Sequence, residues 1–203
     1  MLTFDQKIFE PEDQNKEPWT DCMSYIATNC TTDPLYKNYL DIRFDKYLFF
    51  NAVLDQNRII AFGGIEYSPS RWGIKIARVL SRFWVHPEYR TTSLTKWTSN
   101  KPRFSPLILK PQLDFLSQQQ DIKIAMITRE GNYRRSFKEI CRLASTVSKD
   151  KFEILDGIYD ICRFNNSDAS CSQMIAISAI TDENKFDIFN KAQQLGFFKE
   201  LKR

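Results

Sequence analysis

Ile76 to Val85 reads as a long strand that stops abruptly at His86-Pro87, and few continuations are open to it. Proline lacks an N–H and holds the residue before it in an extended conformation, so a strand ends here. A polar, basic segment follows, Thr91 to Phe104, with Trp97 inside it. Ser105-Pro106 then gives a helix N-cap followed by proline at the first helical position. Strand, loop and helix N-terminus in that order can build a site for an anion.

The strand is apolar on both sides. Ala77, Val79, Phe83 and Val85 share one parity; Ile74, Ile76, Leu80 and Trp84 share the other, interrupted by Arg78 and Arg82. That pattern predicts a central strand covered on both faces, with a bulge that re-aims side chains midway.

The flanking segments supply a sheet and its helices. Leu2–Phe9 reads as a first strand. A helix is predicted from Thr20 or Asp21, with Cys22, Tyr25, Ile26 and Cys30 roughly on one side, and a second short one over Leu35 to Ile42. Tyr47–Leu54 and Ile59–Tyr67, joined by Asp55-Gln56-Asn57-Arg58, form an antiparallel hairpin. Gly63-Gly64 inside it marks a bulge or a close approach to the backbone. Leu109, Leu113 and Leu116 continue the helix after Ser105-Pro106. Pro111 predicts a kink there, or a start shifted toward Lys110.

Ile122–Thr128 fits a buried parallel strand, completing a strand–helix–strand crossover. Phe137, Ile140, Cys141 and Ala144 place an amphipathic helix over Asn132 to Ser145. Phe152–Phe164 and Cys171–Ile180 read as a hairpin, with Asp156-Gly157 a tight turn that could split the first run. Asp182-Glu183 opens a last helix with Phe186, Phe189 and Leu195 inward and Gly196 as its stop. The expected class is α/β of the α+β kind: one domain over 1–203, with residues 1–46 as an N-terminal strand and helices, 47–180 as the core and 181–203 as a closing helix.

Composition narrows the function. Hydrophobic residues make up 42% and charged ones 27%, which fits a globular chain rather than a disordered one. The net charge of +4 suits a phosphate-bearing ligand and falls short of a nucleic-acid footprint. No run approaches the roughly 18 apolar residues that span a membrane, and the N-terminus lacks the basic-then-apolar order of a signal peptide. Five cysteines without paired spacing, and one histidine, argue against zinc and for reduced thiols in a cytosol.

In this order of elements, from Tyr47 to Ile180, the chain resembles the GNAT superfamily of acyl-CoA-dependent N-acyltransferases. The sharpest local match is Arg82-Phe83-Trp84-Val85-His86-Pro87-Glu88-Tyr89-Arg90, which looks like the end of the family's fourth strand and the start of its pyrophosphate loop. The resemblance implies a mixed, mostly antiparallel sheet with a parallel crossover between the fourth and fifth strands and flanking helices. It implies transfer of an acyl group, acetyl above all, from acyl-CoA to a primary amine, and dimers are common in the family.

Carried onto this chain, the cofactor would lie along Phe83-Trp84-Val85, with backbone groups of Phe83 and Val85 pairing with the pantetheine. Its pyrophosphate would meet Arg90, Thr91, Thr92 and Ser93, and Asn132 would stand beside it. The family's loop is glycine-rich, whereas no glycine occurs here from 74 to 130. Hydroxyls of Thr91, Thr92 and Ser93 with Arg90, Lys96, Lys101 and Arg103 would hold phosphate instead.

Acyl transfer to an amine needs a base and an acid. Glu66 is the candidate base and Tyr133 the candidate acid. Each competes with a plain reading, a solvated strand-end glutamate and a surface aromatic. His86 starts a turn beside the phosphate loop, away from the acyl group. Arg129-Glu130 and Cys171 with Gln173 are further candidates at strand ends. The basic residues from Arg71 to Arg103, interleaved with Trp72, Trp84 and Trp97, support the alternative: a non-catalytic module that binds an anionic partner or nucleic acid.

Overall fold

The computed structural model describes residues 3–32, 34–69, 75–90, 104–119, 123–129, 152–154, 158–160, 172–179 and 198–199. The chain divides into two compact units, Met1–Glu66 with Leu80–Gln112 and Tyr67–Val79 with Leu113–Arg203.

The first unit holds β1 (Asp5–Ile8), α1 (Trp19–Asn29), α2 (Pro34–Lys37), β2 (Tyr47–Asp55) and most of β3 (Arg58–Pro69). It also holds the second half of β4 (Lys75–Val85) and the first turns of α3 (Phe104–Ser117). The strands lie in the order β1-β2-β3-β4. β1 runs antiparallel to β2 from Asp5↔Leu54 to Ile8↔Asn51, and β2 to β3 from Asp55↔Arg58. Gln56 and Asn57 have φ of 47° and 63°, the two left-handed positions of a type I′ turn, whose twist matches the strands it joins.

Two clusters cover this sheet. Trp19, 1% exposed, sits among Phe9, Phe44, Phe50 and Phe62, with ring centroids 4.7 Å from Phe44 and 5.1 Å from Phe62. Trp84 stacks on Phe62 in the same cluster. The other cluster sets Val53, Ile60 and Ala61 against Phe104 and Ile108 of α3, with Leu80, Phe83 and Val85 packed on it.

In the second unit, Ile76–Arg78 of β4 pairs in parallel with Lys123–Ala125 of β5 (Lys123–Arg129), which is the expected crossover. β5 runs antiparallel to β8 (Ser172–Ala179). β6 (Phe152–Ile154) and β7 (Ile158–Asp160) pair antiparallel with β8, and β9 (Phe198–Lys199) with β7. The expected class therefore holds: a mixed, mostly antiparallel α+β arrangement, with one parallel pair among the described residues. Among the described residues no helix is long and apolar enough to cross a membrane.

Several boundaries differ from those expected. α1 starts at Trp19, directly after Pro18. α2 covers only Pro34–Lys37, and the apolar residues beyond it, Tyr39 and Ile42, are buried from the irregular segment that follows. α3 starts at Phe104, not near Lys110. Pro106 then lies in the first turn, where its missing N–H has no intrahelical partner to lose, and Pro111 lies inside the helix. From Ile154 to Tyr159 is five positions, but their partners Ile177 and Met174 are three apart on β8, so the first run of the closing hairpin carries extra residues between β6 and β7. The helices expected over 132–145 and 182–196 lie outside the described residues.

Leu80 also changes company. Its parity matches Trp84, yet it packs with Phe83 and Val85 against α3. Leu80 and Arg82 both have φ of 52°, and these two left-handed residues shift the alternation, the re-aiming expected midway along the strand.

Gly64 answers the question left at Gly63-Gly64. A Cβ there would stand 2.5 Å from Tyr47 Cδ1 and 2.7 Å from Phe50 Cδ2. The glycine is therefore required by two rings of β2, and the register shift lies opposite, between Tyr47 and Phe49. Gly64→Ala should lower stability by about 1–3 kcal/mol through overpacking, read as the denaturant midpoint. Gly63→Ala, whose nearest neighbour is the Ile108 methyl at 3.1 Å, should cost less.

Candidate functional site

The second half of β4 is built around its strained residues. A non-glycine residue in the left-handed region costs roughly 1–3 kcal/mol and persists only where its surroundings fix it. Here the fixing is a buried polar chain. Leu80 N–H donates to Gln112 Oε1 at 2.9 Å. Gln112 Nε2 donates to Asn51 Oδ1 at 3.0 Å, and Asn51 Nδ2 to the Ile108 carbonyl at 3.1 Å. Gln112 is 0% exposed and Asn51 2%, so the chain joins β2, α3 and β4 without water.

Ser81 is turned toward β3, where its hydroxyl donates to Glu66 Oε2 at 2.6 Å. Glu66 stands opposite Tyr47 in the β2–β3 register. The Tyr47 hydroxyl is pushed up to about 12, first by burial and then by the Glu66 carboxylate, against the pull of Arg82, which hydrogen-bonds it. Arg82 also stands 3.8 Å from Asp41, a half-exposed pair. Carboxylate, hydroxyl, phenol and guanidinium thus meet beside the bulge.

Beyond it, His86 N–H donates to the Ile60 carbonyl. Backbone groups alternate sides along a strand, so those of Trp84 turn toward β3 and those of Phe83 and Val85 turn away. The Phe83 carbonyl accepts the Tyr39 hydroxyl at 2.8 Å, and the Val85 carbonyl accepts Arg90 Nε at 2.7 Å. The Trp84 side chain is buried in the α1 cluster. Thr91, Thr92, Ser93, Asn132 and Tyr133 lie outside the described residues.

His86 caps a short 3-10 turn, Pro87–Tyr89. Its ring is 2% exposed, tilted against Tyr25 with centroids 4.5 Å apart. Nδ1 accepts the Glu88 amide at 3.3 Å, and Nε2 lies against the Arg58 guanidinium. Both ring nitrogens meet donors, so a second ring proton would break an accepted bond. Burial, then Arg58, holds the imidazole below its ordinary pKa. The turn is tied down by Tyr89, whose hydroxyl donates to Asp55 at 2.6 Å, a bond that raises the phenol's pKa.

Sequence reasoning placed Glu66, Phe83, Val85 and Arg90 on the chain but missed Ser81, Gln112 and Asn51. One signal was present: Gln112 is a polar residue on the apolar face that Leu109, Leu113 and Leu116 define. Among the described residues no group of three or more metal-ligating side chains occurs.

The likeness to solved structures extends over most of the chain. No protein-family model matches the sequence, and no curated protein does. The chain is similar to Naa50 of Arabidopsis thaliana, solved with a bisubstrate analogue of CoA, at 12% identity over 86% of this chain and 98% of that one, with a TM-score of 0.44. It is similar to Escherichia coli ElaA at 10% identity over 88% and 100%, TM-score 0.48. The catalytic domain of the Tetrahymena GCN5 histone acetyltransferase, solved with coenzyme A, gives 8% over 90% and 96%, TM-score 0.48. The strand order β1-β2-β3-β4 and the parallel pairing of β4 with β5 match the order of elements expected from the sequence.

Two outcomes are expected. Gln112→Leu keeps the volume but strands the Leu80 amide and Asn51 Oδ1; it should cost about 1–3 kcal/mol and speed hydrogen exchange at the Leu80 amide. Unchanged exchange there would refute the hydrogen bond. His86, the chain's one histidine, stays neutral in the folded state below pH 6.5 while the unfolded ring takes a proton. Stability should therefore fall as pH drops below about 6.5, by at most ~1.4 kcal/mol per pH unit, and level off below the folded-state pKa. His86→Asn should flatten that slope in melts between about pH 7.5 and 5, above the range where carboxylates titrate.

Proposed function

We propose that this chain is an acyl-CoA-dependent N-acyltransferase that moves an acyl group, acetyl first, from CoA to a primary amine. The observation that carries it is the edge of β4: after a bulge locked from α3, the backbone groups of Phe83 and Val85 turn away from β3. An extended amide chain such as pantetheine pairs with such an edge as another strand would. The two carbonyls already accept Tyr39 and Arg90, but each carbonyl has two lone pairs and can accept a second donor. Arg90, anchored through Nε at Val85, would meet the pyrophosphate, with Thr91, Thr92, Ser93 and Asn132 completing its site.

In the reaction the amine nitrogen bonds to the thioester carbonyl carbon and the carbon–sulfur bond breaks. The amine must lose a proton and the sulfur must gain one. Glu66 takes the amine proton, directly or through Ser81, whose hydroxyl passes its own proton to the carboxylate as it accepts another. Tyr133 is the candidate donor to the departing sulfur. Tyr47, with its raised pKa, remains protonated and does not act as base.

The alternative is a non-catalytic module that binds an anionic partner or nucleic acid. The prior occupation of both edge carbonyls favours it, as does the absence of glycine from 74 to 130.

Calorimetry with acetyl-CoA separates the two: saturable binding is expected, and none at millimolar cofactor would end the enzyme reading. Glu66→Gln should then lower turnover by roughly 10²–10⁴-fold with little change in cofactor affinity. Turnover equal to that of the parent protein removes Glu66 as base.

A further inference from the structure

Arg82 takes no part in the acyl transfer itself, yet the bulge holds its guanidinium beside the groups that do. It has left-handed backbone, with φ of 52°, and in a regular strand it would share a face with Leu80. Instead it hydrogen-bonds the Tyr47 hydroxyl. Tyr47 stands opposite Glu66 in the β2–β3 register. Ser81, the residue before Arg82, donates to Glu66 Oε2 at 2.6 Å. A carboxylate and a guanidinium therefore flank one phenol, and all of these residues belong to the first unit.

A cation here disfavours a plain amine. At neutral pH a primary amine arrives as an ammonium, and Glu66 would draw it to a place where Arg82 repels it. Asp41 offsets little of that repulsion. Its carboxylate is 67% exposed and stands 3.8 Å from Arg82 Nη2, beyond hydrogen-bond length. An ion pair this open to water contributes little. Among the described residues, Tyr47 is the hydrogen-bond partner of a guanidinium that carries five N–H donors. The Arg82 side chain is 37% exposed, so its remaining donors are within reach of a ligand.

Both charges are answered at once by an amine that carries its own carboxylate on the adjacent carbon. From this geometry we infer that the acceptor is a free α-amino acid, its ammonium at Glu66 and its carboxylate on the open N–H groups of Arg82. A guanidinium matches a carboxylate through two parallel bonds, which fixes the direction in which the amine points. The inference rests on the reading of Glu66 as the group that receives the amine. Glu66 relieves the ammonium of one proton. The neutral nitrogen then bonds to the thioester carbonyl carbon, the carbon–sulfur bond breaks, and the second proton that nitrogen loses is matched by the one that sulfur gains. The carboxylate stays unchanged on Arg82, and the product is an N-acyl amino acid. A peptide N-terminus or a lysine side chain carries no carboxylate next to its amine and leaves Arg82 unanswered.

Glycine and leucine are the probes, each set against its own amide, which keeps the amine and lacks the negative charge. Binding is read from the Arg82 Nε–H resonance of the full-length protein, with and without coenzyme A, and Arg82→Gln assigns that resonance by its loss. At least one of the two acids should shift it saturably, with half-saturation in the millimolar range or below. Its amide should bind about tenfold more weakly or worse. With acetyl-CoA present, Arg82→Gln should lower the ratio of kcat/KM for the acid over its amide about tenfold or more. The Trp84 indole N–H resonance should stay dispersed in this variant, the sign that the fold persists. Comparing ratios between parent and variant cancels the different basicities of the two amines. Asp41→Asn removes the competing carboxylate, so the acid should bind as tightly or up to about fivefold tighter. No saturable shift at about 20 mM of either acid, well above a millimolar Kd, overturns the inference. So does an amide that binds as tightly, or a ratio untouched by Arg82→Gln. Weaker binding of the acid in Asp41→Asn also overturns it, because Asp41 would then hold the ammonium. Failure of the acyltransferase reading has a different signature: the acid still shifts Arg82, but acetyl-CoA neither binds nor reacts.

Discussion

The hydrogen bond from the Leu80 amide to Gln112 is the contact on which the first unit's working geometry depends. Two left-handed residues in one strand, Leu80 and Arg82, store roughly 1–3 kcal/mol each. One hydrogen bond contributes only about 1 kcal/mol net and cannot hold them alone. Three linked bonds from Ile108 to Leu80, two of them fully buried, can do so together with the packing of Leu80 and Phe83 on α3. The crossover helix therefore sets the conformation of the strand before it. This accounts for an otherwise odd choice, a wholly buried glutamine on a face of leucines: replaced by leucine, the helix would pack as well but would leave β4 free to straighten.

Straightening would dissolve the site, because each residue of the bulge faces something different. Leu80 turns its amide to α3, Ser81 its hydroxyl to Glu66, and Arg82 its guanidinium to Asp41 and Tyr47. In a regular strand, Leu80 and Arg82 would share one face and Ser81 the other. The bulge gathers a hydroxyl, a carboxylate and a phenol within one sheet surface that period-two alternation would separate.

What could be read from the chain in advance follows the range of the forces involved. Proline at 87 and the Asp55–Arg58 turn act on their own neighbours, so the end of β4 and the hairpin were legible. The crossover was too, since a leucine-rich helix flanked by two apolar runs has few topologies open to it. Trp19 was not seen as the centre of a core, because one tryptophan after a proline has no periodicity of its own; Phe44, Phe50 and Phe62 come to it from elsewhere in the chain. Asn51 and Gln112 are 61 residues apart, and nothing local in either predicts the other. Leu80 was assigned to the wrong face for the same reason: the parity shift is imposed from α3. Glu66 was picked by residue type and position, but its partner Ser81 reads in sequence as a neutral spacer between leucine and arginine.

The capping of the Phe83 and Val85 carbonyls bears on both readings of function. An unpaired strand edge is a template for any other strand, and natural sheets blunt such edges. Tyr39 and Arg90 do this, each donating to one of the two carbonyls. An incoming strand needs an uninterrupted row of acceptors and donors over several residues, and two bulky side chains across the row deny it that. A ligand with only two amide groups needs far less. The same two side chains thus close this edge to another strand, and any ligand that pairs with Phe83 and Val85 must meet Tyr39 and Arg90 first.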